Sequence, residues 1–403
     1  MTRGPGRSNL KTAIAIERFD PQGTVAERST AQVAAELIRR GHDVTVFAAT
    51  VPLEQDLPGG ALLMPPSLAL TWSLHTWKFA QWARRNLAEG DFDATVSMTT
   101  TVGASVIQPR HGLVCDAVRR HVSACARPLA RTVRRMQKAV DPLTRVKLRL
   151  ERQTMADPRV RLFAAPSRSV AEQLRRDYEI LEERIVVVPN AATTPRSSAR
   201  DREEFRRSVR AGFGIPPGAL VYLVVDDDTP QRSIEPLLRS VRLLVDRSEE
   251  PVVIVAGPVG YDPHAVAVRL GVRDRIRIVG ATQHMVQLYC AADATVHLDA
   301  ADPAATVLQE SLLAGTPVIS GPLHEDAGPL GKTGQEARGV VVVADPADPR
   351  ALADAMTRLA DPQQWQQLAR AATAQAEALS LSTHVDRLEA ILLEVAGRGA
   401  AAA

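Results

Sequence analysis

The chain has 403 residues, which favours two domains, and its 45% hydrophobic and 24% charged residues allow a large core. A formal net charge of +3 excludes a whole-molecule polyanion binder. The three cysteines form no C-x-x-C pair, which argues against a disulfide framework or a zinc site and favours a reducing cytoplasm. The polar N-terminus and the lack of an apolar run of roughly 18 residues predict neither a signal peptide nor a membrane span.

The first half of the chain alternates short apolar runs with amphipathic stretches. A strand, a polar loop, a helix, a glycine turn and a second strand form the βαβ unit that opens a doubly wound parallel sheet. We predict helices over residues 27–40, 73–87 and 169–178, and strands over residues 12–16, 43–48, 94–98, 161–165 and 184–188. The aromatic side of the 73–87 helix favours packing on the sheet, with an amphipathic membrane contact as the alternative.

Residues 119–152 are the most charge-biased part of the protein, with eleven lysines or arginines and only two acids. Apolar residues are interspersed at helical spacing. A solvated helical face and docking on an anionic lipid surface both fit this pattern, because each basic residue near such a surface contributes about 1 kcal/mol. Nucleic acid is not expected, since no recognition motif or interleaved aromatic accompanies the charge.

The second half repeats the alternation after a segment rich in Thr, Ser, Pro and Ala. We predict strands over residues 220–225, 251–256, 275–279, 294–298, 318–320 and 340–343, and helices over residues 234–244, 263–270, 285–291, 349–360, 363–378 and 382–397. The predicted organisation is a disordered N-terminus at 1–10, an N-terminal domain at 11–190, a linker at 191–205, a C-terminal domain at 206–380, a C-terminal helix at 381–398 and a frayed tail at 399–403.

Residues 302–319 carry two carboxylates on one predicted short helix. Asp302 can cap the first free N–H groups, and Gly315 supplies a left-handed exit. Glu310 follows Asp302 by eight residues, which places the carboxylates about 12 Å apart along the axis and roughly 80° apart around it. One ligand could contact both, and the free N–H groups between them would favour a phosphate. The alternative is an ordinary N-cap and a solvated glutamate.

The carboxylate pair belongs to a series of short motifs that covers about residues 11–395. In chain order these are AER at 26–28, RGHDV at 40–44, QPRHG at 108–112, VVIVAGP at 252–258, RIRIVG at 275–280, LYCAAD at 288–293, D-x7-E at 302–310 and AGTPVI at 314–319. In this order and at these separations they resemble family 4 glycosyltransferases of the GT-B fold, including the bacterial lipopolysaccharide core glucosyltransferase group.

The resemblance implies two Rossmann-like α/β domains facing a central cleft, with the C-terminal helix returning to the N-terminal domain. It implies retaining, metal-independent transfer of a sugar from a UDP- or GDP-linked donor to a glycan or lipid-linked acceptor, without a cofactor. The expected location is the cytoplasm, with peripheral attachment to the inner membrane through residues 119–152.

The same resemblance assigns roles to individual residues. Glu310 would hold the ribose hydroxyls, Asp302 would contact the sugar ring, and Arg232 would neutralise the leaving diphosphate. His111 would line the acceptor side, although a loop histidine is also commonly structural. The remaining implied residues are Gly257, Ala281, Pro303, Ala304, Ala305 and Thr306 on the donor side, and Gly23, Thr24 and Asn190 in the acceptor or phosphate loops.

Several positions depart from the family pattern and leave a second function open. Asp227 falls near a position where the family has an arginine, and Ser233 replaces a glycine. The first-half glycine pair keeps only Gly23, and PNG has become PNA at 189–191. The alternative is therefore a catalytically weak or inactive GT-B protein that binds a nucleotide sugar or a partner. Another two-Rossmann enzyme, such as a nucleotide-sugar epimerase, is a further alternative, whereas the lack of a G-x-G-x-x-G after Ile14 argues against a dinucleotide oxidoreductase.

Overall fold

The computed structural model describes residues 9–21, 25–52, 56–65, 71–123, 128–190, 197–225, 231–257, 262–280, 282, 284–298, 306–321, 339–375 and 380–400. The chain divides into two compact units. Unit 1 comprises Met1–Ala191 together with Leu381–Ala403, and unit 2 comprises Ala192–Ser380.

Unit 1 is built on a parallel sheet of seven described strands. These are β1 (Lys11–Arg18), β2 (Asp43–Thr50), β3 (Ala61–Leu63), β4 (Ala94–Ser97), β5 (Val106–Ile107), β6 (Leu162–Ala165) and β7 (Ile185–Val187). Their order is β3-β2-β1-β4-β5-β6-β7, and Ile14 of β1 lies opposite Val46 of β2 and Val96 of β4. The order therefore reverses between β1 and β4, the kind of place where open α/β sheets bind ligands.

Helices cover both faces of this sheet. They are α1 (Val25–Arg39), α2 (Trp72–Glu89), α3 (Val114–Ser123), α4 (Pro128–Val140), α5 (Pro142–Met155) and α6 (Arg168–Tyr178). Alternate residues of β1 enter different cores, as the two-residue period of a strand requires: Ile14 and Ile16 pack in the core that contains α1 residues, whereas Ala13 and Ala15 pack in the core that contains Phe79 of α2.

The described residues of the basic region, 119–152, lie mainly in α3, α4 and α5, and one buried acid of α5 holds the start of α3. Glu151 is fully buried and accepts hydrogen bonds from the backbone N–H groups of Val114 (2.6 Å) and Cys115 (2.9 Å) and from the Tyr178 hydroxyl (2.5 Å). The carboxylate thus caps the N-terminal turn of α3 and stabilises its free N–H groups. Burial, followed by the charge of Glu151, raises the pKa of Tyr178.

Unit 2 is built on a second parallel sheet, with six described strands. They are β8 (Leu220–Val225), β9 (Pro251–Ala256), β10 (Ile276–Gly280), β11 (Ala294–His297), β12 (Val318–Ser320) and β13 (Val340–Val342). The helices are α7 (Ala199–Gly212), α8 (Gln231–Asp246), α9 (Pro263–Arg269), α10 (Met285–Ala291), α11 (Thr306–Leu313), α12 (Pro349–Arg358) and α13 (Pro362–Gln375). The sheet order is β10-β9-β8-β11-β12-β13, so the reversal lies between β8 and β11.

The predicted linker, residues 191–205, is wrong in its second part, because α7 begins at Ala199. A capping box starts this helix: Ser198 Oγ accepts from the Asp201 N–H (3.1 Å), and the Asp201 carboxylate accepts from the Ser198 N–H (3.2 Å). Phe205 and Val209 pack against the core of unit 2. The low apolar content of the segment hid this helix, because ion pairs of Arg206 and Arg210 with Asp293 (2.6 and 2.7 Å) also hold it in unit 2.

Two predicted terminal segments and two strands also need correction. Leu10 is buried and donates its backbone N–H to His42 Nδ1 (3.1 Å), so the predicted disordered segment 1–10 does not include this residue. The final helix, α14 (Leu381–Ala400), continues past the predicted boundary at residue 398. Strands β3 and β5, with three and two residues, were not predicted because they are too short to show a periodic pattern.

Helix α14 packs in unit 1, as predicted for the C-terminal helix. Val385 and Leu388 enter the core that contains β1 residues. Glu389, near the middle of α14, pairs with Arg40 (2.6 Å) and accepts a hydrogen bond from His42 Nε2 (3.1 Å). Because His42 Nδ1 accepts from Leu10, its ring proton is on Nε2. Both side chains of the Arg40–Glu389 pair are 5% exposed, so each would leave a buried charge if the other were lost.

We predict that Glu389→Ala lowers the free energy of unfolding of unit 1 by about 3–5 kcal/mol, because it leaves the buried Arg40 guanidinium with less compensation. Asp386→Ala is the matched control, since Asp386 also pairs with Arg40 but its side chain is 56% exposed; it should cost about 0–1 kcal/mol. Urea denaturation followed by tryptophan fluorescence measures both. Equal costs for the two variants would contradict the assignment of Glu389 as the principal anchor of α14.

Candidate functional site

The carboxyl ends of β8 and β11 flank the reversal of strand order in unit 2. Strand β11 ends at His297, which is 7% exposed and whose Nε2 atom has no hydrogen-bond partner in the described part of the chain. Its register partner is Ser320, the last residue of β12, whose Oγ atom is also buried without a partner there. Buried polar atoms are usually satisfied, so this pair indicates a place where a polar ligand would be stabilised.

Glu310 lies on α11, the helix between β11 and β12 in the chain. Glu310 is 1% exposed, and the Tyr289 hydroxyl of α10 donates to its Oε2 atom (3.0 Å). Thr316 Oγ1 donates to the Tyr289 carbonyl (2.7 Å), and Ser311 Oγ donates to the Thr316 carbonyl (2.9 Å). This chain of hydrogen bonds holds α10, α11 and the turn before β12 in one arrangement. The carboxylate orientation is therefore fixed by the protein.

The other predicted donor-side residues can be placed only in part. Asp302, Pro303, Ala304, Ala305 and Ala281 lie outside the described residues. Thr306 begins α11 and Arg232 is the second residue of α8, but the described part of the structure does not include their side chains.

Gly257 follows β9 with a φ of 121°, a conformation that favours glycine. Its N–H donates to the Gly280 carbonyl (2.8 Å), which closes the end of the β9–β10 pair. The predicted donor-binding role of Gly257 would therefore rely on its missing side chain rather than on this N–H.

In unit 1, the structure brings Asn190 to the loop at residues 108–112. Asn190 is buried, and its Nδ2 atom donates to the Arg110 carbonyl (2.9 Å). His111 is exposed, next to Gly112 at a φ of 74°. Gly23 and Thr24 lie outside the described residues.

Sequence reasoning selected His111 in this loop and passed over Arg110. The Arg110 side chain is 2% exposed, and its Nη1 and Nη2 atoms bond to Ser29 Oγ (2.6 Å) and His384 Nε2 (3.2 Å). Burial lowers the pKa of Arg110 to about 9, and burial followed by the Arg110 charge lowers the pKa of His384 to about 3. His384 is thus neutral near pH 7 and accepts from Arg110 while its Nδ1 donates to the Pro189 carbonyl (2.7 Å).

His297 and Ser320 were also missed by sequence reasoning. A signal for both existed, because each is a polar residue at the carboxyl end of an apolar strand. No group of three or more His, Cys, Asp or Glu side chains arranged to hold a metal ion occurs in the described residues.

Solved structures define the class to which this fold belongs. The chain matches the crystal structure of WaaG, a glycosyltransferase involved in lipopolysaccharide biosynthesis, with a TM-score of 0.73 and 19% identity over 94% of this chain and 99% of that one. It matches Anabaena HepE in complex with UDP-glucose with a TM-score of 0.63 and 18% identity over 96% of this chain and 100% of that one. Two doubly wound parallel sheets with these neighbours confirm the predicted GT-B fold class.

Family models then identify the chain. Residues 26–196 match the model described as Glycosyltransferase Family 4, and residues 221–361 match the model described as Glycosyl transferases group 1. Together the two models cover most of both units. The chain therefore belongs to the family 4 type of glycosyltransferases, as the sequence motifs predicted.

Relatives with known functions match at low identity. The D-inositol 3-phosphate glycosyltransferase of Actinosynnema mirum is 30% identical over 163 residues, which cover 37% of this chain and 38% of that relative. The lipopolysaccharide glucosyltransferase WaaG of Escherichia coli (strain K12) is 22% identical over 314 residues, which cover 76% of this chain and 79% of that relative. The match thus spans less than half the length of the first relative.

We predict that Tyr289→Phe destabilises unit 2 by about 1.5–3 kcal/mol, because it removes a hydrogen bond to the buried Glu310 carboxylate. Tyr222→Phe is the matched control: the Tyr222 hydroxyl is equally buried but donates to the neutral Met356 carbonyl (3.0 Å), and its loss should cost about 0.5–1.5 kcal/mol. Urea denaturation followed by tryptophan fluorescence, with Trp365 as the tryptophan of unit 2, measures both. A larger loss in Tyr222→Phe would show that Tyr289 does not stabilise the carboxylate.

Proposed function

We propose that the protein transfers a sugar from a UDP- or GDP-linked donor to a glycan or lipid-linked acceptor, with retention and without a bound metal or cofactor. The observation that carries this proposal is the buried Glu310 carboxylate, which is oriented by Tyr289 and lies on α11, the helix that follows β11, one of the two strands at the reversal of strand order in unit 2. Carboxylates bind the paired hydroxyls of a ribose well, and open α/β sheets bind nucleotides at such reversals. HepE, which shares the fold, was crystallised with UDP-glucose.

The proposed mechanism uses residues from both ends of the D-x7-E motif. Glu310 holds the ribose, Asp302 contacts the transferred sugar, and the segment from Pro303 to Thr306 supports the diphosphate. Arg232 stabilises the negative charge that develops on the leaving diphosphate, which is the contribution that a metal supplies in other enzymes. The acceptor hydroxyl attacks the anomeric carbon from the face that the diphosphate leaves, and the departing phosphate takes the hydroxyl proton.

A second candidate function is binding of a nucleotide sugar without transfer. Two features of the sequence favour it: Asp227 would place a carboxylate near the donor diphosphate, and Ser233 replaces the glycine of the family pattern. Repulsion between a carboxylate and a diphosphate weakens leaving-group stabilisation. Donor binding with no product across a panel of donors and acceptors would favour this candidate.

The proposed partner also includes an anionic membrane surface, and the proposed location is the cytoplasm with peripheral attachment to the inner membrane. Helix α4 exposes Val133 (53%), Met136 (67%) and Val140 (64%) beside the exposed Arg135. Apolar and basic side chains together on an exposed helix favour an interfacial lipid contact. Among the described helices, none is both long and apolar enough to span a bilayer.

For transfer, we expect a UDP- or GDP-sugar to raise the melting temperature of the wild-type protein and to yield a glycosylated product. Arg232→Ala should raise the barrier by about 2–4 kcal/mol, or lower the rate about 30- to 900-fold, because leaving-group charge is no longer stabilised. Glu310→Ala should abolish turnover. Asp354→Ala is the control, since this carboxylate of α12 is 67% exposed and lies outside the proposed site. Wild-type rates in both site variants would refute the assignment.

For the membrane contact, the variant replaces Arg131, Arg134 and Arg135 with glutamine. We expect co-sedimentation with anionic vesicles to fall, since each removed charge weakens attraction by about 1 kcal/mol. The control replaces three exposed arginines of unit 2 with glutamine, Arg207, Arg239 and Arg269, and so makes the same change in net charge. If both triple variants sediment like the wild-type protein, residues 119–152 do not dock on lipid.

A further inference from the structure

The Arg110 side chain lies near the reversal of strand order in the unit 1 sheet, between β1 and β4. Its Nε atom contacts Met98 Sδ (3.5 Å), and Met98 follows β4 and donates its backbone N–H to the Ala15 carbonyl of β1 (2.8 Å). Its Nη1 atom donates to Ser29 of α1, the helix that follows β1. The guanidinium therefore lies where β1 and β4 diverge, the place where a doubly wound sheet binds its ligand.

The positive charge of Arg110 has no carboxylate partner among the described residues. Its three contacts are a thioether, a hydroxyl and a neutral imidazole, and they account for three of the five N–H groups. Arg40 shows that unit 1 can neutralise a buried arginine, because it pairs with Glu36, Asp386 and Glu389. A buried charge without a partner is destabilising, so its presence in the fold requires a different explanation.

Two neighbouring side chains also have unused hydrogen-bonding capacity. Gln108, two residues before Arg110, is fully buried, and neither its Oε1 nor its Nε2 atom has a partner within the described ranges. The Oδ1 atom of Asn190, whose amide nitrogen bonds to the Arg110 carbonyl, is likewise buried without one. Unsatisfied buried amides cost about 1–3 kcal/mol each. The buried cation thus belongs to a residue whose near neighbours include two buried amides with free hydrogen-bonding capacity, one two residues earlier in the chain and one bonded to its backbone carbonyl.

We propose that Arg110 binds a phosphoryl group of the acceptor substrate, with the amides of Gln108 and Asn190 as further hydrogen-bonding groups. A planar guanidinium with two free N–H groups suits a tetrahedral oxyanion, which it can bind in a bidentate manner. This proposal rests on the proposed function, since it names a class of acceptor for the same enzyme. The donor diphosphate is the other source of such a group, and the experiment separates the two.

The test is calorimetric titration and thermal shift with four probes: inorganic phosphate, a sugar phosphate, the same sugar without phosphate, and UDP. For the wild-type protein we expect inorganic phosphate and the sugar phosphate to bind and the unphosphorylated sugar to bind at least tenfold more weakly. Arg110→Met should lose the response to both phosphates and keep the response to UDP. Its own melting temperature should equal or exceed that of the wild type, because an unpaired buried charge is removed.

The matched control is Arg184→Met. Arg184 is a part-buried arginine of the same unit that donates to the carbonyls of Val160 and Arg161, so its loss should lower the melting temperature and leave phosphate binding unchanged. If Arg110→Met does not fold, Arg110→Lys replaces it; this variant keeps the charge but loses the bidentate geometry, and should bind phosphate at least tenfold more weakly.

Three results would overturn the proposal. These are no phosphate binding by the wild-type protein, phosphate binding that persists in both Arg110 variants, and loss of the UDP response together with the phosphate response, which would assign Arg110 to the donor. If the wild-type protein binds phosphate but not UDP, the proposed UDP-linked donor is contradicted, and the proposal that Arg110 binds a phosphoryl group is still supported.

Discussion

In each sheet one central strand pairs with a neighbour on either side, and the order of the strands along the chain reverses at that strand. The rest of the structure depends on this constraint. Strand β1 pairs with β2 and β4, and β8 pairs with β9 and β11. The segments that leave the carboxyl ends of each such pair must diverge to opposite faces of the sheet, which opens a crevice between them. Each unit thus has one crevice, at the carboxyl ends of two central strands, where backbone and side-chain polar groups can bind a ligand.

The two crevices have buried charged groups of opposite sign. In unit 2 the buried group is the Glu310 carboxylate, held by the Tyr289 hydroxyl, and the His297 Nε2 and Ser320 Oγ atoms at the strand ends have no partner among the described residues. In unit 1 the buried group is the Arg110 guanidinium, surrounded by neutral acceptors. A carboxylate suits sugar and ribose hydroxyls, whereas a guanidinium suits an oxyanion. This difference is the reason to assign the donor to one unit and an anionic acceptor to the other.

Sequence reasoning located the regular elements well where apolar runs are long. Strands β8 and β9 and helix α10 lie at the predicted residues, because each has a strong period or an apolar run with clear boundaries. It failed at α7, where Phe205 and Val209 give too weak a period, and at β5, which has two residues. These short or charged elements form because tertiary contacts stabilise them, and a local pattern does not contain that information.

The site residues show a similar division. Glu310 was assigned from its place in a motif, and its contact with Tyr289 required the structure, since the two residues come from different helices. Arg110 was overlooked because an arginine in a basic sequence is ordinarily solvated. Its burial depends on α14, which contributes His384 from a position 274 residues later in the chain.

The most direct test of the central claim is a crystal structure of the protein with UDP bound. We expect the ribose hydroxyls to lie within hydrogen-bond distance of the Glu310 carboxylate, at the carboxyl ends of β8 and β11. A nucleotide bound elsewhere on unit 2, with Glu310 distant from the ribose, would contradict it.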